Sequence, residues 1–449
     1  MFSSFLTRAG ALLVLTTASS SQVYVDASAS PGGDGSSWGQ AYRSLQVALA
    51  SEPGESLFWV ARGLYLPTGA ASLLIDRDVE IYGGFLGSES FLRQRPCPPS
   101  GTFISGAALA QPVVQVEAVT APITVRLDGL EIRSSAIIAT GVGGGLRVEN
   151  LGFPPSVTLS RCKVADNFAD LGGGIAVVGP AALDVEWSLI DNNNDDNELD
   201  SGTLGGGIYV HDAALRVFNS RLTDNGVTSV GRGGGIYLEG SGRETAHVAN
   251  TVFVQNGGGF DGAAVYVDGS GAGGAIDLRN CTLYGDRNDD EFGALGGATL
   301  SIDSVGATAM NVYNSIIWSV ESPQVAISGP ASALDVRYSN IEASPYAGTN
   351  GNLDVKPRFV NAPVALATKA SSPVNDAGSF FLMATDMLDL DRDGDITEAV
   401  PLDVRAFARR TDDTNEPDTG VGTAPIVDMG AFEYSLLVPQ DPPCGSIKP

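Results

Sequence analysis

A glycine triplet followed by a short strand-like run recurs through the middle of this 449-residue chain. The segments LGGGIAVV, LGGGIYVH and GRGGGIYL begin at Leu171, Leu204 and Gly231. A unit that repeats at one phase, with loops of variable length, is typical of a solenoid, in which each unit buries its apolar face only by stacking on its neighbours. The repeat therefore predicts a stack of coils rather than one compact core.

The register of the repeat can be set on one small residue in each coil. These anchor residues are Cys162, Ser188, Ser220, Thr251, Cys281 and Ser315, at spacings of 26, 32, 31, 30 and 34. The residues three positions before them are all apolar: Leu159, Val185, Val217, Val248, Leu278 and Val312. So are the residues two positions after them: Val164, Ile190, Leu222, Phe253, Leu283 and Ile317. Alternation of period two predicts strands, and the repeat has no helical period.

Asparagine and glycine predict the corners of the coil. Asparagine directly precedes the last four anchors, at Asn219, Asn250, Asn280 and Asn314. A second polar column stands five positions after the first five anchors: Asn167, Asn193, Asn225, Asn256 and Asp286. Asparagine tolerates left-handed backbone, and its amide can hydrogen-bond to the same amide one coil away. Glycine permits the positive φ of a sharp corner, which explains the triplets.

The glycine-rich stretch GRGGGI, residues 231–236, also has a rival interpretation as a dinucleotide-binding loop. That motif requires a following helix and an acidic residue about 20 positions on. Here YLEGSG follows, and the same triplet recurs in other coils. We therefore assign the triplets to corners.

Charge excludes one class of partner. The chain has 52 Asp and Glu against 26 Lys and Arg, a formal net charge of −26. Such a surface repels nucleic acid and anionic membranes. We expect no nucleic-acid partner, and no segment is apolar for long enough to span a membrane.

The four cysteines divide into two pairs. If coils stack about 4.8 Å apart, Cys162 and Cys281 lie roughly 19 Å apart, well beyond the limit of about 7 Å for bridged Cα atoms. They should be reduced and buried. Cys97 and Cys444 lie outside the repeat, and in an exported protein they could pair.

The N-terminus predicts export and then a cap. Residues 1–21 contain Arg8, the apolar run AGALLVLTTA and the small polar run SSSQ, the order typical of a secretory signal peptide. In DGSSWGQAYRSLQVALASEPG, Ser36 or Ser37 is a candidate helix cap. Apolar residues follow at helical spacing: Ala41, Leu45, Ala48 and Leu49. We predict a short amphipathic helix that closes the first coil, with Trp38 packed nearby.

Several motifs carry a family resemblance. VYVDASASPGGDGSSWGQAYRSLQVALA, FWVARGLYLPT and VEIYGGFLGSES resemble the opening of secreted bacterial right-handed parallel β-helix proteins with a pectate-lyase-like solenoid. NSIIWS, VRYSNIEAS, NLDVKPRFV, SSPVNDAGS and VDMGAFEY are similar to choice-of-anchor Q proteins, in which a terminal surface-attachment segment follows such a helix. The match runs from about Val23 to Tyr434. The resemblance implies a right-handed coil and residence at the cell surface or outside the cell, with no agreed activity. The 15 residues after Tyr434 contain no hydrophobic tail or sorting motif, which argues against membrane anchoring there.

Together these patterns predict an all-β fold: a right-handed parallel β-helix solenoid with an N-terminal helical cap and an irregular C-terminal segment. The expected parts are a signal peptide (1–21), the cap (22–55), the β-helix (56–345) and a C-terminal choice-of-anchor Q-like segment (346–449).

The stretch DLDRDGDITEAVPLD predicts a structural calcium site. Its candidate ligands are Asp389, Asp391, Asp393, Asp395 and Glu398. Alternate carboxylates converge on a hard cation, and Gly394 permits the turn. Position twelve, usually a bidentate Glu, is Val400, so Glu398 or Asp403 would have to complete the shell. The alternative is a solvated acidic turn.

Two acidic turns are candidates for catalysis. DNNNDDNELD holds Asp191, Asp195, Asp196, Glu198 and Asp200, and DRNDDEF holds Asp286, Arg287, Asp289, Asp290 and Glu291. Paired carboxylates would suit glycoside hydrolysis, but polar residues in inserted turns are expected for solubility alone. His211 and His247 flank strands and are better explained as edge residues than as bases.

The sequence therefore favours an exported, non-catalytic surface or extracellular protein with an adhesive, glycan-binding or structural role. The expected partner is a polysaccharide or a cell-surface component, and the expected state is a monomer. The alternative is a carbohydrate-active enzyme, either a polysaccharide lyase or a glycoside hydrolase. An exposed ladder of Tyr209, Tyr237 and Tyr266 would support glycan binding, but the sequence leaves open whether these rings face outward or inward.

Overall fold

The computed structural model describes residues 22–69, 71–106, 110–135, 141–193, 202–228, 230–288, 298–303, 308–318, 324–328, 333–412, 414 and 417–434. For residues 241–245, 270–273, 287 and 288 only the backbone is described. The signal peptide and Cys444 lie outside these ranges.

Parallel strands wind into a coil with three faces. Face A comprises Leu73–Ile75, Val114–Ala118, Leu146–Asn150, Ile175–Val178, Ile208–His211, the first parts of Ile236–Ala249 and Val265–Arg279, Leu300–Asp303 and Val325–Ser328. Face B comprises Gln22–Val25, Leu57–Ala61, Val79–Phe85, Ile123–Asp128, Pro155–Ser160, Ala182–Glu186, Ala214–Phe218, the last parts of the same two long strands, Ala309–Tyr313 and Leu334–Arg337. Face C comprises Gly63–Tyr65, Thr102–Ser105, Glu131–Arg133, Lys163–Ala165, Leu189–Asp191, Arg221–Thr223, Val252–Val254, Thr282–Tyr284, Ile316–Trp318 and Asn340–Ile341. Each strand pairs in parallel with the equivalent strand one coil away, so the chain forms a right-handed parallel β-helix.

Smaller elements lie outside these faces. Gly257–Gly258 pairs in parallel with Arg287–Asn288, and Phe359–Asn361 pairs antiparallel with Ala365–Thr368. Short 3-10 turns occupy Trp38–Gln40, Leu92–Gln94 and Phe380–Leu382. Among the described residues, no helix is both long and apolar enough to cross a membrane.

The register predicted from the anchors is confirmed. Leu159 pairs with Val185 and Val185 with Val217 on face B, while Val164 pairs with Ile190 on face C. These side chains point into one continuous core that runs through the coils. Their burial follows from period-two alternation, which places every second side chain inside.

The predicted corners are also confirmed. The four asparagines before the anchors have φ between 49° and 51°, which is left-handed backbone. The first glycine of each triplet, such as Gly172 or Gly205, has φ near 70°. Each corner therefore uses a residue type that tolerates this conformation.

The second polar column forms a buried Asn ladder, defined as Asn167, Asn193, Asn225, Asn256 and Asp286. Each asparagine donates from Nδ2 to the side-chain Oδ1 of the next member at 2.9 or 3.0 Å. All five are fully buried. The ladder satisfies polar groups inside the coil that would otherwise be costly to bury.

The N-terminal helix is present but begins later than predicted. It spans Leu45–Ser51, and its cap is Ser44, which accepts from the backbone N–H of Val47 at 3.3 Å. The expected caps Ser36 and Ser37 were wrong, because they precede only a short 3-10 turn at Trp38–Gln40. The pairing of Tyr42 with Val25 then separates this turn from the helix. Leu45 and its apolar helix neighbours still join the main core. Trp38 packs against Tyr24 at 4.8 Å between ring centroids, as expected.

The C-terminal segment, defined here as residues 346–434, runs back along the outside of the coil. Asn219 and Asn250 donate to the carbonyl oxygen of Leu402 at 3.2 and 2.8 Å. Asn280 donates to Asp428, and Asn314 to Ser379. The corner asparagines that precede the anchors therefore serve as docking points for this segment.

Two predictions on the cysteines can be compared with the structure. Cys162 and Cys281 are free and buried, as expected. Burial raises the pKa of each thiol to about 12. Cys97 is disulfide-bonded, and its predicted partner Cys444 lies outside the described residues.

Candidate functional site

The two acidic turns do not assemble a catalytic pair among the described residues. Residues 194–201 and 289–297, which hold most of the candidate carboxylates, lie outside the described ranges. Asp191 forms an ion pair with Lys163 at 2.8 Å and accepts from Thr223 Oγ1 at 2.7 Å. Asp286 is buried at the end of the Asn ladder. The two described acids therefore have roles within the coil.

The two histidines lie beside carboxylates of the next coil. His211 Nδ1 is 3.3 Å from Glu239 Oε2, and His247 Nδ1 is 3.5 Å from Asp277 Oδ2. Both side chains are partly exposed on the outer surface of the coil. This arrangement fits their interpretation as edge residues.

The three tyrosines form a stack that is covered. Tyr209 and Tyr237 stack at 5.8 Å, and Tyr237 and Tyr266 at 5.3 Å between ring centroids. They point away from the main core, yet their exposures are only 6%, 3% and 6%, because the loop residues Leu171 and Leu204 pack over them. A buried stack offers no sugar-binding face, so this ladder is structural.

A cavity of about 400 Å³ opens on the early coils, where face C begins. Its floor is made by outward residues of four successive strands: Glu131, Lys163, Leu189 and Arg221. One wall is the loop 98–101, next to the disulfide-bonded Cys97, and the other is formed by Val404 and Arg405 of the C-terminal segment. We call this cavity the face C pocket.

An aromatic side chain stands at the corner of the face C pocket. Trp187 is half-buried and has φ of 52°. It occupies the position directly before an anchor, where later coils have asparagine. Arg161, directly before the first anchor, has a similar φ of 51°, so this corner accepts large side chains as well as asparagine.

Four cations line the face C pocket, and three of them have carboxylate partners. Lys163 pairs with Asp191, and Arg405 pairs with Asp403 at 2.9 Å. Arg161 pairs with the buried Asp128. Although burial opposes ionisation, Arg161 and the neighbouring arginines hold the pKa of Asp128 below its ordinary value.

Arg221 is the exception. Its side chain has no hydrogen bond or ion pair with any described residue, although the nearby Asp191 carboxylate partly offsets its charge. Burial lowers the pKa of its guanidinium. Because no described carboxylate contacts this guanidinium directly, its donors remain available to an acidic ligand.

The acidic loop is built on a hairpin-like closure. Thr385 pairs antiparallel with Ala399, and Asp386 donates its N–H to the carbonyl oxygen of Glu398 at 2.8 Å. Leu390 and Val400 anchor the loop in a small apolar cluster with Phe218 of face B. The loop ends are thus held against the coil.

Five carboxylates converge in this loop, and we call them the carboxylate cluster: Asp386, Asp389, Asp391, Asp393 and Glu398. Oxygens of Asp386, Asp391 and Glu398 lie within 4.8 Å of one another, as do those of Asp389, Asp391 and Asp393. Sequence reasoning missed Asp386, because it stands three residues before the alternating motif. Burial raises the pKa of Asp386 to about 7.

Two other predicted or possible ligands lie elsewhere. The Asp395 carboxylate belongs to neither group and accepts from Thr397 N and Oγ1 at 2.9 and 2.7 Å. Asp403 is buried and accepts from the backbone N–H of Phe407, at 2.9 Å. Glu398, and not Asp403, is therefore the acid that closes the cluster. A metal-binding role for these residues stays a prediction.

By its topology the chain is a right-handed parallel β-helix protein. Among solved structures it is similar to the crystal structure of pectate lyase Pel9A, with 13% identity, a TM-score of 0.45, and coverage of 92% of this chain and 96% of that chain. No family model and no curated protein matches it. We draw no functional argument from this likeness, and the resemblance to choice-of-anchor Q proteins stays a prediction.

Proposed function

We propose that this chain is an exported, non-catalytic β-helix protein that binds an acidic glycan in the face C pocket. The observation that carries the proposal is Arg221, a partly buried guanidinium that no described carboxylate contacts directly, in the same pocket as the half-buried Trp187. The protein as a whole carries a charge of −26. A cationic pocket on such a surface selects for an anionic ligand at that one place.

The chemistry of the pocket suits a uronate-type sugar. A guanidinium can bind a carboxylate through two parallel hydrogen bonds. Trp187 packs partly on the apolar cluster around Phe218, and its remaining exposed part gives the pocket an apolar side against which a sugar ring can lie. Pockets of a few hundred Å³ with few polar groups are typical of small-ligand sites. An acidic glycan can bind the Arg221 guanidinium through its carboxylate and pack its ring against Trp187, whereas a neutral glycan offers Arg221 no negative charge.

The lining of the pocket supports binding without cleavage. Glu131 is the one carboxylate among its described lining residues, and hydrolysis ordinarily requires two. Burial tends to lower the pKa of Lys163, but Asp191 outweighs it and raises that pKa above its ordinary value. Lys163 therefore stays protonated and is a poor base at neutral pH.

Export has independent support. Residues 1–21 have the order of a signal peptide, and Cys97 is disulfide-bonded, which is typical of oxidising compartments. Expression of the full chain with its N-terminus should yield secreted protein that begins near residue 21 or 22. Retention of the uncleaved chain inside the cell would contradict this part of the proposal.

Binding can be tested by calorimetry with oligogalacturonate and with a neutral glucan of the same length, while released oligosaccharide is assayed in parallel. We expect binding of the acidic oligomer only, with no release. Arg221→Ala should weaken binding about 10-fold to 100-fold, since a hydrogen bond to a charged group contributes about 1.5–3 kcal/mol. Trp187→Ala should weaken it about 2-fold to 10-fold.

The matched control is Arg337→Ala, which removes an exposed arginine paired with Asp335 away from the pocket. It should leave affinity unchanged. Equal losses in both arginine variants would mean that only net charge matters. Release of defined oligosaccharides would instead show that the protein is a carbohydrate-active enzyme, the alternative function considered above.

A further inference from the structure

The carboxylate cluster concentrates negative charge without a protein counter-ion. No described Lys or Arg forms an ion pair with any of its five members. The nearest cation in sequence, Arg392, lines a small cavity together with Asp389, Arg126 and Glu186 but forms no ion pair with Asp389. Like charges this close repel one another unless a cation joins them.

Burial supplies an independent sign of a missing ligand. Asp386 is fully buried, and its Oδ1 has no hydrogen-bond partner, while its Oδ2 accepts from Leu390 N–H at 2.9 Å. Glu398 Oε1 is likewise buried without a partner. Burying a carboxylate oxygen without a hydrogen-bond partner destabilises the folded state, and a bound cation would remove this cost at both oxygens.

The spacing of the oxygens within each group of three fits a bound ion. Calcium takes oxygen ligands at about 2.3–2.6 Å, so two oxygens on the same ion lie at most about 5 Å apart. The oxygens in each group of the cluster lie within 4.8 Å, and Asp391 belongs to both groups. Ligands that are all oxygen favour a hard cation over zinc or copper.

We propose that the carboxylate cluster holds one calcium ion, with Asp386 as its buried ligand. The ion would join Asp386 and Glu398, at the two ends of the loop, to the alternating aspartates between them. Because Leu390 and Val400 of the same loop pack on Phe218, the ion fastens the C-terminal segment to face B. This role does not depend on what the face C pocket binds.

Calcium binding can be measured by calorimetry on the chelator-treated mature chain, with magnesium as the comparison ion. Asp386→Asn should weaken calcium binding at least about tenfold, equal to 1.4 kcal/mol. The matched control is Asp395→Asn, in the same loop but outside the cluster, which should bind calcium within about threefold of the natural chain. Loss in both variants, or none in either, would overturn the role given to Asp386.

Thermal melting separates ligation from a purely structural effect. With calcium, the natural chain should melt above Asp386→Asn. In chelator this order should vanish or reverse, because the variant removes an unpartnered buried charge. A variant that melts lower under both conditions, an unchanged natural chain on adding calcium, or equal affinity for magnesium would refute the proposal.

Discussion

Replacing Asp286 by Asn should stabilise the protein above neutral pH. Asp286 closes the Asn ladder, and its Oδ1 accepts from the backbone N–H and from Nδ2 of Asn256 at 2.8 and 2.9 Å. An asparagine at this position keeps that acceptor oxygen and continues the ladder. It replaces Oδ2 by an NH2 group, the group that the other ladder members carry, and removes the ability to carry a charge.

The magnitude follows from the pKa of Asp286. Burial raises this pKa from its ordinary value of 3.8 to about 7, in spite of the hydrogen bonds from Asn256. Because the pKa of Asp286 is higher in the folded than in the unfolded chain, its protonated form favours folding. This contribution to stability is fully present below about pH 4 and is lost as the pH rises through about 7. At 1.36 kcal/mol for each pKa unit, ionisation costs the folded state about 4 kcal/mol above pH 7.

The assay is urea unfolding followed by circular dichroism, at about pH 4 and about pH 8. Asp286→Asn should match the natural chain at the lower pH and exceed its free energy of unfolding by about 2–4 kcal/mol at the higher pH. The control is Asp166→Asn, at a partly exposed corner where Asn192 stands one coil later, which should change stability by less than about 0.5 kcal/mol. If Asp286→Asn raised the free energy of unfolding equally at both pH values, or lowered it, the reasoning would be refuted.

Two further predictions test the interior of the coil. Asn225→Ala should lower the free energy of unfolding by about 3–6 kcal/mol, because it orphans Asn193 N–H and Nδ2 and the carbonyl of Ile190. Asn150→Ala removes two exposed bonds, one donated to the carbonyl oxygen of Pro180 and one accepted from Gly152 N–H. It should cost less than about 1 kcal/mol in the same urea titration, because water can replace both bonds, and losses equal to those of Asn225→Ala would contradict the ladder. Cys162 and Cys281 should resist a thiol reagent at about pH 8 in the folded protein and react fully in guanidinium, because burial raises the pKa of each to about 12. Fast labelling of the native chain would show that the coil opens there.

The sequence was sufficient for the repeating part of the fold because one coil constrains the next. Period-two alternation decides which side chains face inward, and a single small anchor in each coil fixes the register. Val217 pairs with Val248 and Leu222 with Phe253 as the anchor alignment predicts. The end of the coil is less constrained, which is why the helix cap was placed at Ser36 or Ser37 rather than at Ser44.

In the acidic loop, the sequence motif predicted only part of the carboxylate cluster. The alternating pattern indicated Asp389, Asp391 and Asp393, which do converge. It did not indicate Asp386, because that residue reaches the cluster through the pairing of Thr385 with Ala399. A long-range backbone contact of this kind has no local sequence signal.

The face C pocket was missed for a different reason, although its signal was present. Lys163, Leu189 and Arg221 stand about 30 residues apart, and each directly follows an anchor. Reading that column through the predicted register would have placed them side by side. The column before the anchors changes in the first two of these coils, where Arg161 and Trp187 stand instead of asparagine, while the coil of Arg221 keeps Asn219.

The same column explains why the pocket lies where it does. In later coils its members are Val252, Thr282 and Ile316, which are buried because the C-terminal segment covers them, with Ala431 donating its N–H to Thr282 Oγ1 at 2.8 Å. In the earlier coils the column is partly exposed and carries the two cations Lys163 and Arg221. The chain therefore fills one part of this groove with its own apolar residues and leaves the basic part open. An anionic ligand would occupy the place that the C-terminal segment takes further along the coil.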